Sequence, residues 1–281
     1  MASYLVIGLI LGLTLTNVLA TEFSYKDVEK WAQDFKECGG SSQSPIDIKL
    51  TDVVKDNFAR AIKFSQAYNR VIHGRISNNG HAVQLDFSEE QRKDMTISCG
   101  PFGADQYRFL QLHFHWGAND SSGSEHTFGQ VRFPAEMHWV HYNMKYGSPS
   151  EAILQKDGLA VLGFMVDVDN GMFNPDFEVI SSAVPKLGKA GSTADIELNI
   201  FDLWTENPLP LGSYYSYAGS LTTPACSEVV TWVVFTVPVV IPPKGLLPFR
   251  DLVDSEGDPM VDNFRPIQPL NGRKVSSVKG H

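Results

Sequence analysis

The chain has 281 residues, 43% hydrophobic and 20% charged, which is enough apolar sequence to bury the core of a globular protein. Its formal net charge of −9 argues against nucleic acid or an anionic membrane as a partner, because both need a basic face. Three cysteines, Cys38, Cys99 and Cys226, allow one bridge and one leftover thiol in an oxidising compartment, with three possible pairings.

Residues 1–20, MASYLVIGLILGLTLTNVLA, read as a signal peptide. The run from Tyr4 to Leu15 carries no charge, Val18 and Ala20 stand at the small-residue cleavage positions, and the mature chain is expected to start near Thr21. No later stretch is long and apolar enough to span a bilayer, and the polar end NGRKVSSVKGH is no lipid-anchor signal. A secreted, extracellular protein without a membrane anchor is the expectation.

No repeat or linker divides 21–281, so one domain is expected, with its core at about 24–270 and a polar tail at 271–281. Weak helical periodicity at Tyr25–Phe35, Ser148–Leu154 and Asn174–Leu187 predicts a few short peripheral helices. Alternating or apolar runs at Ala82–Phe87, Tyr107–Trp116, Ala135–Tyr142, Ala160–Val166 and Val229–Val237 predict strands, with turn residues such as Asn79-Gly80 and Asp157-Gly158 between them. The fold class is therefore mainly β, with α elements at the edges. The Pro-rich stretch from Pro238 to Leu270 is expected to wrap the surface. Asn119-Asp120-Ser121 is a glycosylation sequon in a polar loop.

The histidines carry the chemistry. In QLHFHWG a period of two puts Gln111, His113 and His115 on one face of a strand and Leu112, Phe114 and Trp116 on the other. In AEMHWVHYN the same period groups Glu136, His138 and Val140 against Met137, Trp139 and His141. His113, His115 and His138 are then three nitrogen ligands for Zn²⁺ that leave a fourth position open to water. Gln111 and Glu136, each two residues before a ligand, are placed to accept its second N–H. His141 and His126 read as structural.

Several longer motifs follow in order: SQSPIDI, NNGHA, QLHFHWG, GSEHT, AEMHWVHYN, GLAVLGF, SLTTPACSEVVTW and VDNFRPIQPLNGR. Together they make the chain, from about Ser24 to Leu270, resemble an α-class carbonic anhydrase of the secreted type. The resemblance implies a large twisted, mostly antiparallel sheet of about ten strands, with zinc at the foot of a conical cleft. It implies reversible hydration of carbon dioxide to bicarbonate and a proton by zinc-bound hydroxide, with a possible side esterase activity. It also implies inhibition by sulfonamides and small anions.

Residue by residue, the resemblance gives the same three zinc ligands and puts Gln111, Glu136 and the main-chain carbonyl of Asn263 behind them. Thr222 would accept the hydroxide's hydrogen bond and pass its own proton to Glu125. Thr223 would lie at the mouth, and Val140, Val161, Leu221, Val230 and Trp232 would form the apolar wall for carbon dioxide. His81 would carry the proton out through water ordered by Tyr25, Asn79 and Gln84. Cys38 and Cys226 match the pair that secreted members join, leaving Cys99 over. The competing reading, a non-catalytic binding module, predicts loss of a zinc ligand, and all three are present.

Overall fold

The computed structural model describes residues 23–56, 60–170, 173–204 and 211–278; the stretch read as a signal peptide and the terminal His281 lie outside them. The described strands are β1 (Asp47–Ile48), β2 (Val53–Lys55), β3 (Ile62–Phe64), β4 (Ile72–Asn78), β5 (Val83–Phe87), β6 (Thr96–Cys99), β7 (Tyr107–Trp116) and β8 (Thr127–Phe128). They continue with β9 (Ala135–Asn143), β10 (Leu159–Val168), β11 (Thr193–Leu198), β12 (Tyr214–Gly219), β13 (Val230–Phe235), β14 (Val239–Ile241) and β15 (Val275–Val278). Thirteen of them form one large sheet, in keeping with the expected sheet of about ten strands; its main path runs β11-β4-β5-β7-β9-β10-β13-β12-β15-β2, and β1 and β8 pair apart. Most pairings are antiparallel, as expected, but β10 runs parallel to β13 and β14, and β15 parallel to β2.

The centre of the sheet is covered on both faces, which is why β9 is buried along its whole length and β10 over its first eight residues. Alternation sorts β9 between two cores: Met137 and Trp139 join the larger cluster, Val140 and Tyr142 the smaller. On β7 the alternation is interrupted by a bulge between Phe109 and Gln111. It lets Phe109 and Leu112, three apart, face the same core, and it sets the phase that turns Gln111, His113 and His115 to the other side.

The helices are short and peripheral, as expected. Pro175–Ala183 starts where Asn174 accepts the Phe177 N–H at 3.0 Å, with Pro175 at the first helical position, and it packs Phe177 against Phe114. The stretch Tyr25–Phe35 forms no continuous helix: a 3₁₀ segment, Tyr25–Lys30, kinks at Asp27 before a single turn, Trp31–Asp34.

Two expectations about the C-terminal third are corrected. Pro238–Leu270 does not merely wrap the surface, since β14 joins the sheet and Asn263 and Arg265 are buried, with the Asn263 side chain and both terminal nitrogens of Arg265 hydrogen-bonded. The polar tail also contains a strand: β15 pairs with β12 and β2 and buries Val275 and Val278, two apolar residues with a partner surface waiting on the sheet edge.

Candidate metal centre

Register assembles the site. His113 on β7 stands directly opposite His138 on β9, with Gln84 on β5 and Gly163 on β10 extending the same row. One step along, His115 faces Glu136. One step the other way, Gln111, Val140, Val161 and Trp232 line up across β7, β9, β10 and β13.

Each imidazole has its outward nitrogen occupied. His113 Nδ1 donates to Gln111 Oε1 at 2.9 Å, His115 Nδ1 to the Asn263 carbonyl at 2.7 Å, and His138 Nε2 to Glu136 Oε1 at 2.7 Å. Carbonyl and carboxylate oxygens can only accept, so they fix the tautomers and leave a lone pair on His113 Nε2, His115 Nε2 and His138 Nδ1. Those rings converge on a common volume in which candidate ligand atoms lie within 4.8 Å of one another. His138 Nδ1 sits 3.3 Å from His113 Nε2, and His115 Nε2 is buried with no hydrogen-bond partner. Three lone pairs aimed at one point repel unless a cation lies between them, so this donor set fits a metal ion. Burial, followed by the neighbouring imidazoles His115 and His138, holds His113 well below the usual histidine range; burial also lowers His115, partly offset by the Glu125 carboxylate. Neutral rings are the form that binds metal.

Glu136 does more than support one ligand. Its carboxylate accepts from the His126 backbone N–H at 2.7 Å and from His126 Nδ1 at 2.8 Å, while His126 Nε2 meets the Tyr217 hydroxyl at 2.6 Å. Burial works to raise this carboxyl, but His126 and His138 outweigh it and hold it well below the usual carboxylate range. His126 is thus structural, as expected, though as a fully buried member of the metal support. Gly163 makes room for it: a Cβ there would lie 3.0 Å from Glu136 Oε1. A glycine inside a strand was the available signal.

A cleft lined by His113, His115 and His138 opens above them. Val140, Val161, Leu221 and Trp232 line one side with Thr222 and Thr223 beside them; Tyr25, Asn79, His81 and Gln84 line the other. Val230 is not among the residues lining the cleft and lies buried in the apolar cluster that also includes Val140, Val161 and Trp232. Asn79 Nδ2 donates to Gln84 Oε1 at 3.3 Å, and Gln84 Nε2 donates to Asp86, a half-buried carboxylate that burial raises and that sequence reasoning missed. The Tyr25 hydroxyl is buried without a partner, and burial, then the Glu125 charge, pushes it well above its ordinary value. His81 stacks on Phe23, with ring centroids 4.0 Å apart, a contact with no signal in the sequence.

The hydrogen bond expected from Thr222 to Glu125 is not formed. Glu125 Oε1 accepts the Arg265 backbone N–H at 2.9 Å, and Oε2 turns toward the imidazoles, 3.4 Å from His115 Nε2, without a hydrogen-bond partner. Cys38 and Cys226 are bridged, and Cys99 is free and half-buried. Asn119 is exposed, its side-chain oxygen accepting from Ser121. His141 is a core histidine between the Tyr68 hydroxyl and the Trp139 carbonyl, as expected, and His73 is an exposed partner of Glu197. No helix among the described residues is long and apolar enough to cross a membrane.

A mainly antiparallel sheet that carries three convergent imidazoles beside an apolar wall fits the class of metalloenzymes whose site offers three protein ligands and opens to a cleft. The sequence model of the eukaryotic-type carbonic anhydrase family matches residues 26–279. Carbonic anhydrase 1 of Mus musculus is 38% identical over 252 residues, covering 88% of this chain and 93% of that protein. The chain belongs to the eukaryotic-type carbonic anhydrase family, zinc-dependent enzymes that hydrate carbon dioxide.

Proposed function

We propose that this enzyme works with zinc held by His113 Nε2, His115 Nε2 and His138 Nδ1, and that His81 exports the proton of each turnover. The observation that carries the metal reading is the set of three inward lone pairs, each fixed by an acceptor on the far side of its ring. Zinc in such a site makes a bound water acidic enough to be a nucleophile near neutral pH, the chemistry for which carbonic anhydrases are the standard example.

The remaining roles belong to the chain. Carbon dioxide has no charge or net dipole, so Val140, Val161, Leu221 and Trp232 hold it by contact alone. The bicarbonate product finds no polar partner on that wall and leaves. Thr222, in the lining of the cleft, can accept one hydrogen bond and donate another, and the unpartnered Oε2 of Glu125 is the acceptor assigned to it. Tyr25, Asn79 and Gln84 give the opposite side the polar groups that order cleft water. His81, at the mouth, takes a proton from that water and hands it to buffer, a task suited to a side chain with an ordinary pKa near neutrality.

His113→Ala is expected to lose zinc by elemental analysis and hydration by stopped flow; retained zinc with a full rate overturns the ligand assignment. His81→Ala is expected to slow turnover in weak buffer, with rescue by imidazole. The enzyme is also proposed to be secreted and glycosylated at Asn119, supported by the charge-free apolar run at 4–15, the Cys38–Cys226 bridge and the exposed sequon. Release into the medium of secretory cells with a start near Thr21 and a glycosidase-sensitive mass tests this; a retained chain beginning at Met1 overturns it.

A further inference from the structure

The 3₁₀ segment Tyr25–Lys30 is only partly buried, chiefly at Tyr25 and Val28, and the chain beside it carries Phe23 onto His81. Trp31 holds one side of it, its ring against Phe23 and Tyr25 and its Nε1 donating to the Ser24 carbonyl at 2.9 Å, and a turn some 230 residues away holds the other. Lys26 Nζ donates to Glu256 Oε2 at 2.7 Å and to Asp258, and lies 3.7 Å from Asp254 Oδ2. These three carboxylates are gathered by their own turn, in which Asp254 Oδ1 accepts the N–H groups of Glu256 and Asp258, each at 2.9 Å. The Asp258 and Glu256 hydrogen bonds raise the Lys26 pKa, so the ammonium stays charged across the working range.

The same turn grips the other half of the stack. Ser255 N–H donates to the Gly80 carbonyl at 3.1 Å, and the Val253 carbonyl accepts from Asn78 Nδ2 at 2.9 Å. Gly80, at φ +91, lets Ser255 pack against it: a Cβ there would lie 2.0 Å from Ser255 Oγ. The His81 backbone is pinned by Asn79 Oδ1 and by Asn263 Nδ2, each at 3.0 Å. Turn 254–258 therefore ties down both the residue before His81 and the segment that brings Phe23 to it.

We propose that Lys26 is a positioning residue: its grip on the acidic turn 254–258 keeps Phe23 flat against the His81 ring and so fixes the imidazole at the cleft mouth. The effect on proton export rests on the reading of His81 as the proton carrier. Exposed ionic contacts add little to overall stability, so the grip acts on the placement of one segment rather than on the fold.

The test uses zinc-loaded enzyme carrying Lys26→Met or Lys26→Arg. The first readout is the NMR resonance of the His81 ring, which the stacked Phe23 shields. Lys26→Met is expected to move it downfield, and Lys26→Arg to leave it in place. The second is stopped-flow kinetics in weak buffer. Lys26→Met is expected to lower kcat by about two- to fivefold, the range over which an exposed ionic network shifts a two-state equilibrium, with kcat/KM unchanged and recovery in imidazole. An unmoved His81 resonance in Lys26→Met overturns the positioning role. A moved resonance with unchanged kcat, where His81→Ala is slow, overturns its link to proton export. If His81→Ala is itself as fast as wild type, the failure belongs to the proton-carrier reading, and the resonance still decides the placement.

Discussion

Removing the Cys38–Cys226 bridge by replacing both residues with alanine is expected to cost the protein much of its stability and to slow it as well. The bridge closes a loop of 188 residues. Chain-entropy reasoning gives such a loop about 5 kcal/mol as an upper value, and native bridges usually deliver about 2–5 kcal/mol. Domains of this kind have about 5–15 kcal/mol in total, so the variant should be marginal. Local contacts add to the effect. The Cys226 N–H donates to the Thr223 carbonyl at 2.8 Å, the Leu221 N–H to the Ser227 carbonyl at 3.0 Å, and Gln43 Nε2 to the Cys226 carbonyl at 3.1 Å. Arg265, buried and bonded to the carbonyls of Cys38 and Ser44, joins the same knot. The turn that presents Thr222 is therefore held at its base by the bridge. Urea unfolding followed by circular dichroism, at one fixed zinc concentration, measures the loss, and stopped-flow hydration measures the rate. A loss below about 1 kcal/mol refutes the loop-closure argument. A large loss with an undiminished kcat/KM refutes the link to Thr222 and leaves the bridge acting on the unfolded chain alone.

Glu136→Gln should weaken zinc binding by about 10–100-fold, because the amide NH₂ must face one of the N–H groups that His126 and His138 now aim at a carboxylate. Competition with a calibrated chelator reads this, and unchanged affinity argues that the carboxylate charge is irrelevant. His141 supplies a pH dependence. Burial lowers its pKa from 6.5 to about 3, against the opposing pull of its backbone hydrogen bonds. Its folded pKa lies below its unfolded one, so the unfolded chain binds the extra proton. The stability it contributes is complete above pH 6.5 and declines as pH falls toward 3. Between pH 7 and 5 wild type should therefore lose about 2 kcal/mol more than His141→Gln, by urea midpoints at the two pH values, and equal losses contradict the assignment.

The convergence of the three histidines was legible because their signal is local. Period two in QLHFHWG and AEMHWVHYN separates the faces without knowledge of the partner strands, and the side-chain acceptors two residues upstream obey the same period. The support for His115 was not legible from pattern, since a main-chain carbonyl 148 residues away has no residue signature and only family resemblance pointed to Asn263. Long range also hid β15, whose short KVSSV pattern becomes a strand only because β12 and β2 offer it edges. Family resemblance placed Val230 on the wall with Trp232, two residues along the same strand, but neither the resemblance nor the spacing decides which of the two meets the cleft. Phe23 and Lys26 escaped notice for a related reason: a ring and an amine in a polar N-terminal segment mean nothing until a distant turn places them.

The arrangement of the centre explains why a broad, covered sheet suits this chemistry. A metal-activated water and an apolar gas need opposite surroundings within one side chain's reach. Residues two apart on a strand share a face, so two adjacent rows across the sheet can hold different chemistry at fixed spacing. Here the row Gln84, His113, His138, Gly163 is polar, and the next row, Gln111, Val140, Val161, Trp232, turns apolar from β9 onward. The third row adds His115 and Glu136. A slip of one residue between β7 and β9 would turn every ligand of one strand into the opposite core, which is dense with Trp139, Phe164 and Phe114. The aromatic packing on that far face, remote from the metal, therefore sets the register on which both the ligand set and the dry wall depend.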